Sequence, residues 1–489
     1  MRKLGKKLRL LALSALLALA CGGCLFQSAE DLYLLPSLPE GYASLQTAIQ
    51  ETMDELGAEY ANISYGGNTS TIQLQDLDGD GRQETAVVFL RLTAAQEKPL
   101  RVCLFRQGAD GSFSMAHEIA GDGTSIHSVS YEDLTGDGVL ELVIGWQMST
   151  RVHILTAHMI GSSGAVELMN ATYNDSYLVT DMDGDAANGK AILLMQQNST
   201  GEAGGSRAEY YRYQDGVMAL TYTAPLSDSI AGGVSARAGL LSDGQPCVYV
   251  TAQVEGGALT DILYLDRTGL HNLTRDGESG VSASTFRAYT DVAAADINND
   301  GVLEIPQPVQ LPDPQDWSDP AGETGEGGEA LRTENGGGEE EDGEEEEQPA
   351  GPSYYVILWR QFDSQGNAAV SCSTYHSVSD GWYLMLPDDW PGNITVSRDD
   401  SRSSRGERAV VFYYWPGYGR EQPVPFLTVY TLTGNNRETW ANRSGRFVLR
   451  TDDSAIYAAA LDEEIWACGV SQEQLSQRFR LITTAWSSQ

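Results

Sequence analysis

One nine-residue pattern recurs along this chain and limits what it can fold into. Residues 76–84 read DLDGDGRQE, residues 133–141 read DLTGDGVLE, and residues 296–304 read DINNDGVLE. Degenerate copies stand at 181–189 (DMDGDAANG), 239–247 (GLLSDGQPC) and 399–407 (DDSRSSRGE). The starts are 57, 48, 58, 57 and 103 residues apart. Repetition at a fixed period signals a stacked or radial array of one supersecondary unit, and 50–60 residues suits a four-stranded β unit.

The residues between the loops read as strands. Glu141-Leu-Val-Ile-Gly, Cys247-Val-Tyr-Val, Tyr354-Tyr-Val-Ile-Leu-Trp and Phe426-Leu-Thr-Val-Tyr are short β-branched and aromatic runs. Gly, Asp, Asn and Ser punctuate them. The second unit parses into strands near 126–133, 139–147, 150–158 and 165–170. Glu407-Arg-Ala-Val-Val-Phe nearly repeats Glu84-Thr-Ala-Val-Val-Phe, so the last copy keeps its strand although its loop has drifted. Helical periodicity is absent between about 70 and 450, which favours an all-β repeat over a βαβ sheet.

Two helices are expected at the flanks. Leu45, Ala48, Ile49, Met53 and Leu56 form one apolar stripe, and Gly57 is a fitting stop. Ser471 and Gln474 have capping-box spacing, with Val470 and Leu475 placed as a hydrophobic staple.

The termini of the repeat carry other information. Arg2, Lys3, Lys6, Lys7 and Arg9 precede an apolar run from Leu10 to Ala20. That run is too short to span a bilayer of ~30 Å and reads as an export signal. Ala18-Leu19-Ala20-Cys21 resembles the lipobox of bacterial lipoproteins, which implies lipidation of Cys21. The expected organisation is a signal at 1–20, a lipidated tether at 21–40 and a helix with lead-in at 41–69. Blades follow at 70–312 and 353–465, separated by an insert at 313–352, and a helical segment ends the chain at 466–489. The insert holds 15 acidic residues and one base, Arg332, with few apolar residues. Such a composition cannot offset its ordering entropy, so a disordered loop is expected.

The loop chemistry points to a hard cation. D-x-[DN]-x-D-G-x-x-E supplies oxygen ligands at positions 1, 3, 5 and 9, and the position-7 carbonyl can join them. The glycine at position 6 permits the sharp turn. Oxygen-only donors select Ca²⁺ over zinc or copper, and the loop is shorter than an EF-hand loop and lacks its helices.

With these loops at this spacing, the sequence resembles the FG-GAP/VCBS repeat family of integrin-α-like propellers and bacterial surface proteins. The resemblance covers about 70–310, and 390–415 more faintly. It implies a β-propeller with Ca²⁺ loops between strands. Six loop slots are visible, and a seventh blade could come from the 445–461 strands, so six or seven blades are expected. Carried over, one ion would take Asp76, Asp78, Asp80 and Glu84 with the Arg82 carbonyl. A second would take Asp133, Thr135, Asp137 and Glu141 with the Val139 carbonyl, and a third Asp296, Asn298, Asp300 and Glu304 with the Val302 carbonyl. Asp181, Asp183 and Asp185 form a weaker set, because Gly189 replaces the last acid. The copies at 239 and 399 are expected to bind nothing.

The chain has 489 residues and a net charge of −37. That charge argues against nucleic acid as a partner, since phosphate would be repelled. Its six histidines are scattered, at 117, 127, 153, 158, 271 and 376. No HExxH, G-x-S-x-G, P-loop or Rossmann fingerprint occurs, so no catalytic residue is assigned. The expected function is a calcium-stabilised, membrane-anchored extracytoplasmic binding or scaffold module for a protein or glycan. The alternative is a polysaccharide-acting lyase or hydrolase on the same propeller. The expected location is the outer side of the bacterial cytoplasmic membrane or the cell surface.

Overall fold

The computed structural model describes residues 43–161, 164–174, 176–197, 205–231, 233–318, 353–462, 466 and 468–482. The signal, Cys21, the tether and most of the acidic insert lie outside the described residues. No described helix is long and apolar enough to cross a membrane.

The described residues fall into two compact units, 43–128 with 160–165 and 129–159 with 166–482. In the first, helix α1 (Ala43–Leu56) is followed by β1 (Ala58–Tyr60), β2 (Ile72–Gln75), β3 (Thr85–Leu92), β4 (Leu100–Gln107) and β5 (Phe113–Gly121). β3, β4 and β5 form an antiparallel meander, and both β1 and β2 pair with β3. The apolar stripe of α1 is where the sequence puts it. Leu45 and Ile49 are buried against Val88, Leu90, Cys103 and Phe105. The helix stops at Gly57, whose φ of 63° lies in the left-handed region that a Cβ disfavours.

Five further sheets follow in chain order. The second is β6 (Ser125–Glu132), β7 (Glu141–Gln147), β8 (His153–Gly161) and β9 (Gly164–Tyr173). The third is β10 (Tyr177–Thr180), β11 (Ala191–Gln196), β12 (Arg207–Gln214) and β13 (Val217–Pro225). The fourth is β14 (Val234–Leu240), β15 (Pro246–Val254), β16 (Gly257–Asp266) and β17 (Gly269–Asn272). Each is an up-and-down meander, the unit from which β-propellers are built.

The fifth sheet is β18 (Ile305–Gln310), β19 (Tyr355–Phe362), β20 (Ala368–Ser377) and β21 (Trp382–Leu386), with β27 (Phe479–Leu481) added outside β21. β18 and β19 pair antiparallel with Gln310 opposite Tyr355, so the insert connects two adjacent strands. The sixth is β22 (Ile394–Asp399), β23 (Glu407–Tyr414) and β24 (Val424–Thr433), then β26 (Ala455–Leu461) and β25 (Phe447–Thr451). Helix α2 (Arg437–Ala441) leads into β25, and β26 then turns back between β25 and β24. The 445–461 strands therefore extend the sixth sheet and build no seventh. Six sheets occur among the described residues.

Within the second unit, each sheet packs on the next. Val143 and Leu155 meet Ile192 and Leu194. On the other face of the same strand, Leu193 and Met195 meet Val248 and Val250. Tyr249 and Ile262 then share a core with Ile305 and Phe362, and Trp382 and Leu384 with Val410 and Phe412. Alternating residues of a central strand thus bury both faces, which is why these strands read as continuous apolar runs. The all-β class expected from the sequence is the class observed, built from four- and five-stranded antiparallel sheets.

Near the C-terminus, α3 (Gln472–Arg478) carries the expected capping box. Ser471 Oγ accepts the Gln474 N–H, and Gln474 Oε1 accepts the Ser471 N–H. Leu475 and Phe479 seal the core shared by the last two sheets. At the end of α3 the chain turns extended as β27, with Phe479 buried.

Candidate metal centre

The loops at 76 and 133 sit where one strand ends and a buried inner strand begins, the loop at 296 leads into the edge strand β18, and each is organised by its first aspartate. Asp76 accepts the Gly79 N–H at 2.8 Å on one carboxylate oxygen and the Gly81 N–H at 2.7 Å on the other. Asp133 repeats this with Gly136 at 2.7 Å and Gly138 at 3.0 Å. Asp296 does so with Asp300 and Gly301, both at 3.0 Å. Such bonds curl the loop around its own acids. At Asp76 desolvation is the largest single effect and raises the pKa, but the hydrogen bonds from Gly81, Gly79 and Asp78 together outweigh it, so its carboxyl lies below the usual range.

The position-5 aspartates close the turn. Asp80, Asp137 and Asp300 accept the N–H of Arg82, Val139 and Val302 at 2.8, 2.9 and 2.9 Å. In the first loop, Asp76, Asp78 and Asp80 each offer a carboxylate oxygen within 4.8 Å of the others, an arrangement that could hold a metal ion. The donors are all hard oxygens, which fits a cation of the Ca²⁺ type.

The position-9 glutamates differ. Glu84 is half-exposed and pairs with Arg82 at 3.1 Å, while the Arg82 carbonyl accepts the Glu84 N–H at 3.0 Å. Glu141 and Glu304 are fully buried. Glu141 accepts the Leu134 N–H at 2.7 Å and the Thr135 N–H at 3.3 Å. Glu304 accepts the Ile297 N–H at 3.0 Å, and Gln361 and Ser371 donate to it at 2.9 and 3.0 Å. Burial pushes both carboxyls up, against these bonds. Thr135 Oγ1 lies 3.4 Å from Glu141, and Asn298 donates to Asp300 at 2.9 Å. Val139 and Val302 are half-buried beside them.

The degenerate copies show how a loop is changed. At the 181 copy, Asp181 keeps the Gly184 N–H at 2.8 Å, but Arg212 pairs with Asp183 at 2.8 Å. Gly189 lies against the preceding loop, where an added Cβ would fall 2.4 Å from the Leu134 carbonyl oxygen. A glutamate cannot enter there. At the 239 copy, Asp243 accepts the Ser364 hydroxyl at 2.6 Å and the Ser364 N–H at 3.1 Å. At the 399 copy, Glu407 keeps its buried place at the head of β23 but is held by arginines. Arg446 lies at 2.6 Å, Arg443 at 3.1 Å and Arg402 at 3.7 Å. Arg446 also stacks over Tyr430 at 3.5 Å. The arginine cluster was not legible in the sequence, because Arg443 and Arg446 lie some 40 residues beyond the glutamate.

No curated protein matches this chain. Among solved structures, a crystal structure of rhamnogalacturonan lyase YesW is similar at 11% identity, with a TM-score of 0.29, covering 86% of this chain and 96% of that one. A protein from Lactobacillus plantarum is similar at 10% identity, with a TM-score of 0.25, covering 72% of this chain and 79% of that one. Likeness at this level carries no argument about activity. Residues 76–144, which span the first two complete loops, match the family model described as an FG-GAP-like repeat, and this chain therefore carries an FG-GAP-like repeat in that segment.

Proposed function

We propose that this chain is an exported, lipid-anchored binding module whose blades are braced by calcium at its Asp-Gly loops. The observation that carries the reading is the shared build of the loops at 76, 133 and 296. In each, the first aspartate uses both oxygens to curl the backbone, and in the first loop three carboxylates lie within reach of one ion. Asp76, Asp78 and Asp80 would hold one ion, Asp133, Thr135 and Asp137 a second, and Asp296, Asn298 and Asp300 a third. The cation supplies positive charge to loops that are net acidic; Arg82 in the first loop is engaged by Glu84. Affinities of 10⁻⁴–10⁻³ M are typical of extracellular modules and suffice outside a cell. The N-terminal sequence supports export and lipidation at Cys21, on the outer side of the bacterial cytoplasmic membrane or at the cell surface. We read the chain as a binding or scaffold module toward a protein or glycan because its sequence offers no HExxH, G-x-S-x-G, P-loop or Rossmann fingerprint.

Thermal melts test the calcium reading. The wild type is compared in millimolar Ca²⁺ and in chelator, beside an Asp80→Asn/Asp137→Asn/Asp300→Asn variant. Asparagine still accepts the loop N–H bonds and lacks the charge. At 1 mM Ca²⁺ each site should add about 0.4–1.4 kcal/mol for the affinities above, and the triple variant should lose that response. Superimposable wild-type melts, with no metal found by elemental analysis after chelation, would sink the idea. Cys21→Ser should release the chain from the membrane fraction.

A further inference from the structure

The fourth sheet borders a cavity of about 600 Å³ that the loop chemistry does not use. Its lining includes two arginines, Arg237 and Arg287. Arg287 is only 4% exposed. Its backbone is fixed by a two-bond bridge to Ala258 at 2.8 and 2.9 Å. Gly257 makes that approach possible, since a Cβ there would lie 2.1 Å from the Arg287 carbonyl oxygen.

The guanidinium is poorly compensated for a buried cation. Nη1 donates to Thr260 Oγ1 at 3.2 Å and to the Thr285 carbonyl at 3.4 Å. Nε has no partner among the described residues. No carboxylate offsets the burial, which pushes the group down to about 10. By contrast Arg446, whose side chain is also largely covered, pairs with Glu407 at 2.6 Å. An unpaired buried charge is costly and is retained where something else supplies the counter-charge. Arg237 shares the cavity and donates to the Ala294 carbonyl at 3.2 Å.

The rest of the lining narrows the ligand. Ser235, Thr251, Gln253 and Thr290 offer hydroxyl and amide groups that can both donate and accept. Asp296 also lines the cavity, but its two oxygens already accept loop N–H bonds. The volume suits a small organic molecule. We propose that this cavity binds a small hydroxylated organic acid, its carboxylate taken by Arg287 and Arg237 and its hydroxyls by the Ser, Thr and Gln side chains. The guanidinium fork matches a carboxylate. This ligand class rests on the reading of the chain as a binding module and not on its calcium loops.

Calorimetric titration of the purified full chain tests it, with D-glucuronate, D-glucose and inorganic phosphate, each in calcium and in chelator. Glucuronate should bind saturably and glucose, which lacks the carboxylate, should not. Arg287→Met should weaken glucuronate binding about thirtyfold or more, as expected for removing one side of a buried charge pair. Arg237→Gln, at a half-buried position, should weaken it about tenfold with an unchanged melt, which keeps the test valid if Arg287→Met misfolds. Equal binding of glucose and glucuronate overturns the proposal. So does phosphate binding without glucuronate binding, or the absence of heat with glucuronate. Failure here leaves the calcium melts untouched, so the two readings fail separately.

Discussion

The loops at 133–141 and 399–407 end alike and are stabilised differently. Both deliver a buried glutamate to the head of an inner strand, Glu141 on β7 and Glu407 on β23. Glu141 is met by backbone N–H groups of its own loop, and the rest of that loop is acidic. Glu407 is met by Arg402, Arg443 and Arg446. Two of these arginines come from the α2–β25 segment, the extra piece that distinguishes the sixth sheet. A buried carboxylate needs donors or counter-charge, and a repeat can supply them from within the loop or from an insertion elsewhere. Once arginines are wired in, the loop no longer needs clustered aspartates, and 399–407 has lost the pattern that 133–141 keeps.

The largest effect should come from breaking the arginine-held loop. Arg446→Met leaves Glu407 buried with its shortest ion pair gone, and should cost about 3–5 kcal/mol. Denaturant melts would show it, and Glu407→Gln in the same background should recover part of the loss. A variant as stable as wild type would mean that Arg443 alone suffices.

Acid should separate the two sheets next. His158 on β8 stands opposite Leu142, and burial lowers its pKa to about 4. Between about 4 and the ordinary 6.5 the unfolded chain holds the extra proton, so stability rises with pH there. The contribution is complete above 6.5 and is lost as pH falls through 6.5 toward 4, by up to about 3 kcal/mol. Residues 394–461 contain no histidine. Hydrogen exchange at pH 5 against pH 7, corrected for intrinsic rates, should expose β7 and β8 before β23 and β24. His158→Leu should reduce that contrast, leaving the part owed to His153, which is also on β8 and also lowered by burial.

The smallest expected effect concerns the 181 copy. Gly189→Glu restores the missing acid but places a Cβ against the Leu134 carbonyl at a φ of 71°. It should destabilise by about 1–3 kcal/mol and add no calcium response in a melt. A stabilised, calcium-responsive variant would show that this loop can yield.

Much of this architecture was legible. The second-sheet strands read from the sequence lie within three residues of those observed, because Asp-Gly turns mark one end and a period-2 apolar run the rest. The α1 stripe and the Ser471 cap are local patterns in the same way. What escaped was non-local. The 445–461 strands read as a separate unit because nothing in a strand's own sequence states which edge it joins. Asp76, Asp78 and Asp80 come together within one turn of chain, so spacing alone could group them. Arg446 and Glu407, or Arg237 and Arg287, meet only through sheet packing.

The sequence by itself determined the β-rich repeat, the loop geometry and the terminal helices. Each depends on contacts among residues a few positions apart, where backbone preference and hydrogen bonding act directly. Tertiary structure decided how buried charges are answered: by backbone N–H at Glu141, by arginines at Glu407, and by no carboxylate at Arg287. Desolvation depends on everything packed around a group, and that surrounding exists only once distant strands have closed on one another.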